Sequence, residues 1–174
     1  MVVRIRPQRE EDTRKPFCCG DADLDEFFRK DALGYMKERL STSYILEDGD
    51  GVLAYFSIAN DRISIDSFNN NTAYNRFRRR FVNTKRLKGY PAVKLCRLGV
   101  NNLAKGAGLG TGIIQFLKAT FYKHQRSACR FLIVDAYRQS IDFYLKNGFI
   151  PCKDLDNIQG QTVSMYFDLA DLDI

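Results

Sequence analysis

The 174-residue chain has little of what marks several common classes of protein. Its five cysteines are scattered and form no CxxC pair, which excludes a disulfide framework and a cysteine zinc site and predicts reduced thiols. No apolar run approaches the roughly 20 residues of a membrane span, and the first residues show no apolar signal region. We therefore expect a cytoplasmic protein that has no metal site and no contact with a membrane.

Acidic residues are also missing from a long stretch of the sequence. None occurs between Asp66 and Asp135, whereas fourteen lysines and arginines do, so the net charge of +6 is concentrated there. Such asymmetry predicts a positive face for an anionic ligand, either nucleic acid or a phosphate-rich cofactor. The hydrophobic content of 45% is enough for one core, and the length suits a single domain over residues 1–174.

Hydrophobic periodicity predicts alternating strands and helices. Strands are expected at residues 2–6, 43–47, 52–58, 92–100, 131–134 and 162–167, the last half-exposed, with 63–67 as a further extension of the sheet. Helices are expected at residues 23–39 with Asp21 or Asp23 as N-cap, from Thr111 onward, and at 139–146, ending at Asn147-Gly148. An insertion over about residues 69–90 contains a short basic helix at 74–81. The strand at 92–100, the helix after it and the covered strand at 131–134 predict a right-handed βαβ unit.

A glycine-rich segment lies between the strand at 92–100 and the following helix, with the sequence Lys105-Gly106-Ala107-Gly108-Leu109-Gly110-Thr111-Gly112. Glycines let several main-chain N–H groups converge, and the first turn of a helix adds unpaired donors and a positive dipole end. The segment therefore predicts a pyrophosphate site. A dinucleotide-binding fold uses a similar spacing, but its loop belongs to the first βα unit and an acidic residue follows sooner than Asp135.

These residues resemble the GCN5-related N-acetyltransferases (GNAT), which bind acetyl-coenzyme A (acetyl-CoA) and acylate amines. Residues 95–100 and 105–110 resemble the pyrophosphate loop of that family, written Arg or Gln, any two residues, Gly, any residue, then Gly or Ala. Residues 136–140 and 143–149 resemble its later motif, a short helix that carries an aromatic pair and ends at Gly-Phe. The resemblance spans nearly the whole chain. It implies an α/β (α+β) fold with a mixed, mostly antiparallel sheet of six to seven strands, a central βαβ unit and about four helices.

The resemblance also implies acetyl-CoA as cofactor and a set of residues that bind it. These are Leu98, Gly99 and Val100 along the pantetheine arm, then Lys105, Gly106, Ala107, Gly108, Leu109, Gly110 and Thr111 at the phosphates, and Ser140. Lys105 departs from the family pattern, because it offers a point charge where Arg or Gln is usual.

Tyr144 is implied as the acid that protonates the departing thiolate. The alternative for Tyr144 is a core residue beside Phe143. A general base is not evident, because the only histidine, His124, lies among Lys123, Gln125 and Arg126 and is expected to be solvated. Glu47, Asp61, Asp66 or a water chain would serve, and an α-amine, with a pKa of about 7.7 to 8.0, needs a base less than a lysine amine does.

The basic insertion and the N-terminal region suggest a more specific hypothesis. Arg78, Arg79, Arg80, Lys85 and Arg86 are interleaved with aromatic residues, a mix typical of proteins that bind RNA, although a solvated insertion anchored by Phe77 and Phe81 fits as well. Residues 17–28 resemble the opening of acetyltransferase toxins that acetylate aminoacyl-tRNA and are neutralised by a ribbon-helix-helix antitoxin.

We therefore expect an acetyl-CoA-dependent N-acetyltransferase that acts on a primary amine of a small molecule, a protein or an aminoacyl-tRNA. Two alternatives remain open: a toxin that acetylates the α-amine of aminoacyl-tRNA, and a non-catalytic module that senses acyl-CoA or binds RNA. The expected partners are the amine acceptor, a ribbon-helix-helix antitoxin and, in a homodimer, a second copy of the chain.

Overall fold

The computed structural model describes residues 3–49, 51–81, 87–123 and 127–172. Within them, seven strands form a sheet in the order β1-β2-β3-β4-β5-β7-β6. The strands are β1 (Arg4–Pro7), β2 (Thr42–Glu47), β3 (Val52–Ser64), β4 (Gly89–Val100), β5 (Phe131–Tyr137), β6 (Ile150–Pro151) and β7 (Thr162–Asp168). The helices are α1 (Ala22–Glu26), α2 (Ala32–Lys37), α3 (Asn71–Arg78), α4 (Leu109–Lys123) and α5 (Ile141–Lys146).

The sheet is mixed and mostly antiparallel. β1 with β2, β2 with β3, β5 with β7 and β6 with β7 all pair antiparallel. β4 and β5 run parallel, because Arg130 donates to the Pro91 carbonyl near the start of both strands and Lys94 contacts Asp135 further along both. With α4 between them, β4 and β5 form the predicted βαβ unit, and the predicted fold class is confirmed.

The first long helix is where prediction and structure agree in position but differ in form. Asp21 is its N-cap, since its carboxylate accepts from the N–H groups of Asp23 and Leu24. A π-helical turn at Phe27–Asp31 joins α1 to α2. This turn buries two adjacent aromatic rings, Phe27 and Phe28, where a regular helix would direct them to different faces. Residues 22–37 therefore form one helical body, although not a uniform one.

Other boundaries differ for local reasons. The helix predicted at 74–81 begins at Asn71, because the Asn70 side chain accepts from the Ala73 N–H and caps it there. The proposed sheet extension at 63–67 is wrong beyond Ser64, since Ile65–Ser67 is a 3-10 turn. β1 begins two residues later and ends one residue later than predicted, β4 and α4 start earlier, and β5 continues to Tyr137.

The last strand is not half-exposed as predicted. β7 lies between β5 and β6, so both of its edges are paired. Met165 is fully buried, and its neighbour Tyr166 on the opposite face is also buried, with its ring edge-on to Phe77 and Phe131. Alternation in the sequence suggested one solvated face, but aromatic side chains from elsewhere in the chain cover it.

The chain divides into two compact units, and β3, β4 and α4 each have residues in both. The first unit comprises residues 1–59 and 95–117, and its core contains Phe17, Phe28, Ile45 and Tyr55. The second comprises residues 60–94 and 118–174, and its core is an aromatic cluster that includes Tyr74, Phe77, Phe131 and Tyr166. The expectation of a single domain stays a prediction.

Among the described residues, no helix combines the length and apolar character needed to cross a membrane.

Candidate functional site

The entry to the glycine loop, residues 105–112, is fixed by Asn101, which follows β4. The Asn101 N–H donates to the Leu53 carbonyl at 2.8 Å, and its side-chain amide donates to the Val52 carbonyl at 3.1 Å. The side-chain oxygen of Asn101 accepts from the Leu103 N–H at 3.2 Å. One asparagine therefore ties the end of β4 to the start of β3 and starts the turn that leads into the loop.

The loop itself presents unsatisfied donors in open space. Gly106 and Gly108 have φ angles of +83° and +74°, which non-glycine residues rarely adopt, and nothing lies within 4 Å of where their Cβ atoms would be. In the described part of the chain, no acceptor receives the main-chain N–H groups of residues 106–110. Because α4 begins at Leu109, its dipole adds positive potential at the same place. This geometry fits a diphosphate.

Lys105 has a partner that the sequence did not reveal. Its ammonium donates to the Cys19 carbonyl at 2.8 Å, and the Asn102 N–H donates to the Cys18 carbonyl at 2.8 Å. These bonds attach the start of the loop to the turn before α1. Lys105 therefore holds the loop in place, and its predicted contact with phosphate stays a prediction.

The end of β4 carries the main-chain groups that the sequence assigned to the pantetheine arm. Gly99 is buried between half-buried Leu98 and Val100, and a Cβ at Gly99 would lie 2.8 Å from the Tyr55 ring and 3.3 Å from that of Phe17. A glycine is required here because the rings pack directly against the backbone.

Tyr144 lies on α5, with its ring buried and its hydroxyl not hydrogen-bonded to any described residue. The ring makes edge-on contacts with Phe143 and Phe149, at centroid distances of 5.0 and 5.4 Å. No described residue hydrogen-bonds its hydroxyl, and burial raises the pKa of Tyr144 to about 12. The phenol therefore keeps its proton at neutral pH, as a general acid must.

Ser140, the other predicted cofactor residue on this segment, precedes α5 at the N-cap position. Its side chain makes no capping hydrogen bond.

α5 ends as the sequence predicted. Gly148 has a φ of +79°, and its N–H donates to Leu145. Lys118 from α4 donates to the Asn147 carbonyl at 2.6 Å while its ammonium lies 3.6 Å from the centroid of the Phe167 ring. Burial lowers the pKa of Lys118. This buried lysine was not identified from the sequence, because a polar residue in an amphipathic helix is expected to face solvent.

The second unit contains a partly open cavity of about 210 Å³, which we name the aspartate cavity. Three carboxylates line it, from Asp61 at the end of β3, Asp66 in the following turn and Asp135 on β5. Its other polar lining residues are Arg62, Ser67, Lys94 on β4 and Ser164 on β7. It therefore contains Asp61 and Asp66, two of the residues that the sequence offered as candidate bases.

One side of the aspartate cavity is fixed by an ion pair. The Lys94 ammonium lies 2.5 Å from an oxygen of Asp135 and 3.9 Å from one of Asp61. The Ser164 hydroxyl donates to the other oxygen of Asp135 at 2.7 Å. Burial by itself would raise the pKa of Asp135, but the hydrogen bonds from Lys94 and Ser164 lower it below its usual value. Asp135 is therefore ionised at neutral pH.

Glu47, another candidate base, is already ion-paired with two cations. Arg6 lies 2.7 Å from its carboxylate and Lys15 lies 3.3 Å away. The hydrogen bond from Arg6 lowers the pKa of Glu47, so it is a poor proton acceptor. The prediction of Glu47 as a base is not supported by this geometry. His124 lies outside the described residues.

The basic insertion separates into structural and exposed cations. Arg80 donates to Asp168 at 2.8 Å and to the Tyr166 hydroxyl at 2.8 Å, and it stacks over Phe77. Arg78 lies over the Tyr74 ring, with a distance of 4.8 Å from its guanidinium carbon to the centroid. Arg79 is exposed. Arg80 thus has a structural role that its position in a basic run concealed, and the predicted RNA contacts Lys85 and Arg86 lie outside the described residues.

Lys94, Asp135 and Ser164 were missed as site residues. The only sequence signals were a lysine inside a strand that is otherwise mostly apolar and an acidic residue that directly follows the apolar run 131–134. The described residues contain no group of three or more His, Cys, Asp or Glu arranged to hold a metal ion.

Solved structures with this architecture identify the fold, although no protein-family model matches the chain. A bacterial toxin aligns with a TM-score of 0.76 and 16% identity, over 97% of this chain and 92% of its own. AtaT complexed with acetyl-methionyl-tRNAfMet aligns with a TM-score of 0.73 and 18% identity, over 97% and 96%. AtaTR bound with acetyl-CoA aligns with a TM-score of 0.71 and 18% identity, over 97% of this chain and 94% of its own.

The chain therefore has the GNAT fold. Structures of toxins are among those that it resembles, in agreement with the resemblance found in its sequence.

Proposed function

We propose that this protein is an acetyl-CoA-dependent N-acetyltransferase that transfers an acetyl group to a primary amine. The observation that carries the proposal is the glycine loop, where the N–H groups of residues 106–110 lack acceptors in the described chain at the start of α4. Structures of the same fold that bind acetyl-CoA support it. Acetyl-CoA would supply the acetyl thioester.

The chain's own residues bind the cofactor and donate the proton that the leaving sulfur needs. The N–H groups of the glycine loop bind the diphosphate, and the main chain at Leu98 and Val100 bonds the pantetheine arm. Tyr144 gives its proton to the departing sulfur, since its buried phenol is protonated throughout the neutral range. Gly99 keeps the strand close to Tyr55 and so sets the position of the main-chain groups on either side.

Binding of acetyl-CoA is the first test. Ligand that binds only the folded protein raises the melting temperature. Acetyl-CoA should therefore give a saturable shift, and adenosine alone a much smaller one. Release of free thiol in the presence of a panel of primary amines then tests turnover. The absence of any shift in folded protein freed of copurified ligand would contradict the proposal, and binding without thiol release would favour the non-catalytic module.

The role of Tyr144 is tested by Tyr144→Phe, with Tyr137→Phe as matched control because Tyr137 is an exposed tyrosine in β5. Removing a general acid costs on the order of 10²-fold in turnover. We expect that loss for Tyr144→Phe at unchanged affinity for acetyl-CoA, and no loss for Tyr137→Phe. Equal turnover of the two variants would remove Tyr144 from the mechanism.

For the acceptor, we propose the α-amine of an aminoacyl-tRNA. The resemblance of residues 17–28 to tRNA-acetylating toxins supports it, as does the likeness to AtaT complexed with acetyl-methionyl-tRNAfMet. Labelled acetyl-CoA should transfer its acetyl group to charged tRNA and not to deacylated tRNA. Transfer to small amines or proteins, with charged tRNA unmodified, would reject this acceptor.

We further propose an antitoxin of the ribbon-helix-helix type as partner. The support is a structure of an AtaT mutant toxin bound to the C-terminus of the antitoxin AtaR. The growth arrest expected on expression should be relieved by Tyr144→Phe and by coexpression of such a partner. Arrest that Tyr144→Phe leaves unchanged would show that it does not arise from acetyl transfer.

A further inference from the structure

The aspartate cavity has a negative charge in the part of the sequence that is richest in positive charge. Asp61, Asp66 and Asp135 line it against Lys94 and Arg62, so its walls carry one more negative than positive charge. Lys94 lies closer to Asp135 than to Asp61, at 2.5 Å against 3.9 Å, so its ammonium neutralises Asp135 first. The remaining negative potential is therefore centred on Asp61 and Asp66 and favours a cation.

The carboxylate of Asp61 is already oriented. One of its oxygens accepts the Arg62 N–H at 2.7 Å, and the other is the oxygen that lies 3.9 Å from Lys94. A carboxylate held through one oxygen can present the other to a ligand without losing side-chain entropy on binding. Asp61 is thus prepared for a cation next to Lys94.

Size restricts what the aspartate cavity can hold. Its volume of about 210 Å³ is below the roughly 300 to 1,000 Å³ of sites for drug-sized ligands, so it suits one amino-acid-sized group and not a nucleotide cofactor. The cavity also contains an unpartnered buried group: the Cys152 thiol is 6% exposed and hydrogen-bonds no described residue. A thiol is a weak hydrogen-bond donor and acceptor, and a molecule bound in the cavity can supply the partner that this one lacks.

We propose that the aspartate cavity binds the ammonium group of the acceptor, within an amino-acid-sized moiety, through Asp61 and Asp66. This inference rests on the proposed N-acetyltransferase function, because it names the chemistry by which that enzyme recognises its amine. Asp135, held by Lys94 and Ser164, forms a fixed wall and does not bind the ammonium directly. An acceptor that carries a free α-ammonium next to a small side chain fits this cavity, whereas a folded protein surface does not.

The test compares two probes that differ in one group. Leucine methyl ester has an ammonium where methyl 2-hydroxy-4-methylpentanoate has a neutral hydroxyl. At pH 6, where the amine is mostly charged, calorimetry or ligand-observed NMR should show at least tenfold tighter binding of the amine. The double variant Asp61→Asn, Asp66→Asn should reduce that preference to below about threefold, which is a loss of roughly 0.7 kcal/mol or more.

Two further variants keep the test independent of folding. Asp156→Asn removes an exposed carboxylate outside the cavity and should leave the preference unchanged. Asp61→Glu with Asp66→Glu retains the charge and should retain most of the preference. Equal binding of the two esters, no binding of either, or a preference that survives the asparagine variant would overturn the proposal.

The same samples separate this inference from the proposed function. The melting-temperature shift with acetyl-CoA is measured on each variant and does not depend on the acceptor. A normal shift without preference for the ammonium would reject the aspartate cavity alone. A missing shift in the wild-type protein would reject the proposed function, whatever the esters do.

Discussion

The glycine loop and the basic helix α3 are both segments whose composition predicts contact with anions. They differ in how many of their hydrogen-bond donors lack a partner within the described chain. In the loop, the N–H groups of residues 106–110 donate to no other described residue. In α3 and the turn after it, Arg80 already gives its guanidinium to Asp168, to Tyr166 and to the Phe77 carbonyl. These main-chain donors carry no formal charge, yet they are the ones that still lack an acceptor among the described residues.

The difference shows that formal charge is a poor guide to binding capacity. A cation whose partners are buried with it has its field neutralised, and its removal affects stability more than ligand binding. Main-chain donors at a helix start carry only partial charge, but they converge and have no competing acceptor. Four predictions sharpen this contrast, from the largest expected effect to the smallest.

Arg80→Met should destabilise the protein strongly. It leaves the buried Asp168 carboxylate, whose side chain is 2% exposed, with Arg130 as its remaining cation. We expect a loss of about 2 to 3 kcal/mol in the free energy of unfolding, measured by urea denaturation. The matched control is Arg79→Met, an exposed neighbour, which should change stability by less than about 0.5 kcal/mol. Equal losses would show that Arg80 is not the structural cation.

Gly108→Val should weaken acetyl-CoA binding at least tenfold, because a β-branched residue at a φ of +74° distorts the loop and its N–H groups. Gly49→Val is the control: Gly49 has a φ of +99° in the β2–β3 turn, and its Cβ would also meet open space. Both variants should lose about 1 kcal/mol of stability from backbone strain, and only Gly108→Val should lose affinity. Similar affinities of the two, measured by calorimetry, would refute the loop as the diphosphate site.

Acid should destabilise the second unit through Asp168. Burial tends to raise the pKa of Asp168, but hydrogen bonds from Arg130 and Arg80 lower it overall. A lowered folded-state pKa contributes stability that is present above the unfolded pKa of about 3.9 and is lost as pH falls through the folded value. The free energy of unfolding should therefore decline from about pH 5 downward, less steeply in Asp168→Asn. An identical slope in Asp168→Asn and in the surface control Asp156→Asn would contradict this.

Exposed arginines should have the smallest effect. Arg76→Gln and Arg79→Gln each remove one exposed charge from α3 and its C-cap. If the proposed acceptor is a charged tRNA, each substitution should weaken tRNA binding modestly and reduce the salt dependence of its log affinity by about one unit, with acetyl-CoA affinity unchanged. Filter binding between low and moderate salt measures this. Unchanged salt dependence in both variants would remove α3 from the RNA interface.

Features carried by consecutive residues were predictable. The glycine loop, the N-cap at Asp21 and the end of α5 at Gly148 depend on local backbone geometry, and the structure has them where the sequence indicated. Features assembled across the chain were not. Arg80 and Asp168 are 88 positions apart and Ser164 and Asp135 are 29 apart, so no local pattern connects them. The error at β7 has the same origin, because the side chains that cover Tyr166 come from α3 and β5.

The sequence by itself determined most of the segments that become helices and strands in this protein, and the segment that offers free main-chain donors, since propensity, capping and glycine geometry act over a few residues. Only the tertiary structure decided which charged side chains remain available. That depends on burial and on partners that are distant in the sequence. Arg80 forms an ion pair with Asp168, Glu47 forms one with Arg6, and Lys105 donates to a carbonyl of the turn before α1. A charge acts on a ligand only where the fold leaves it unneutralised.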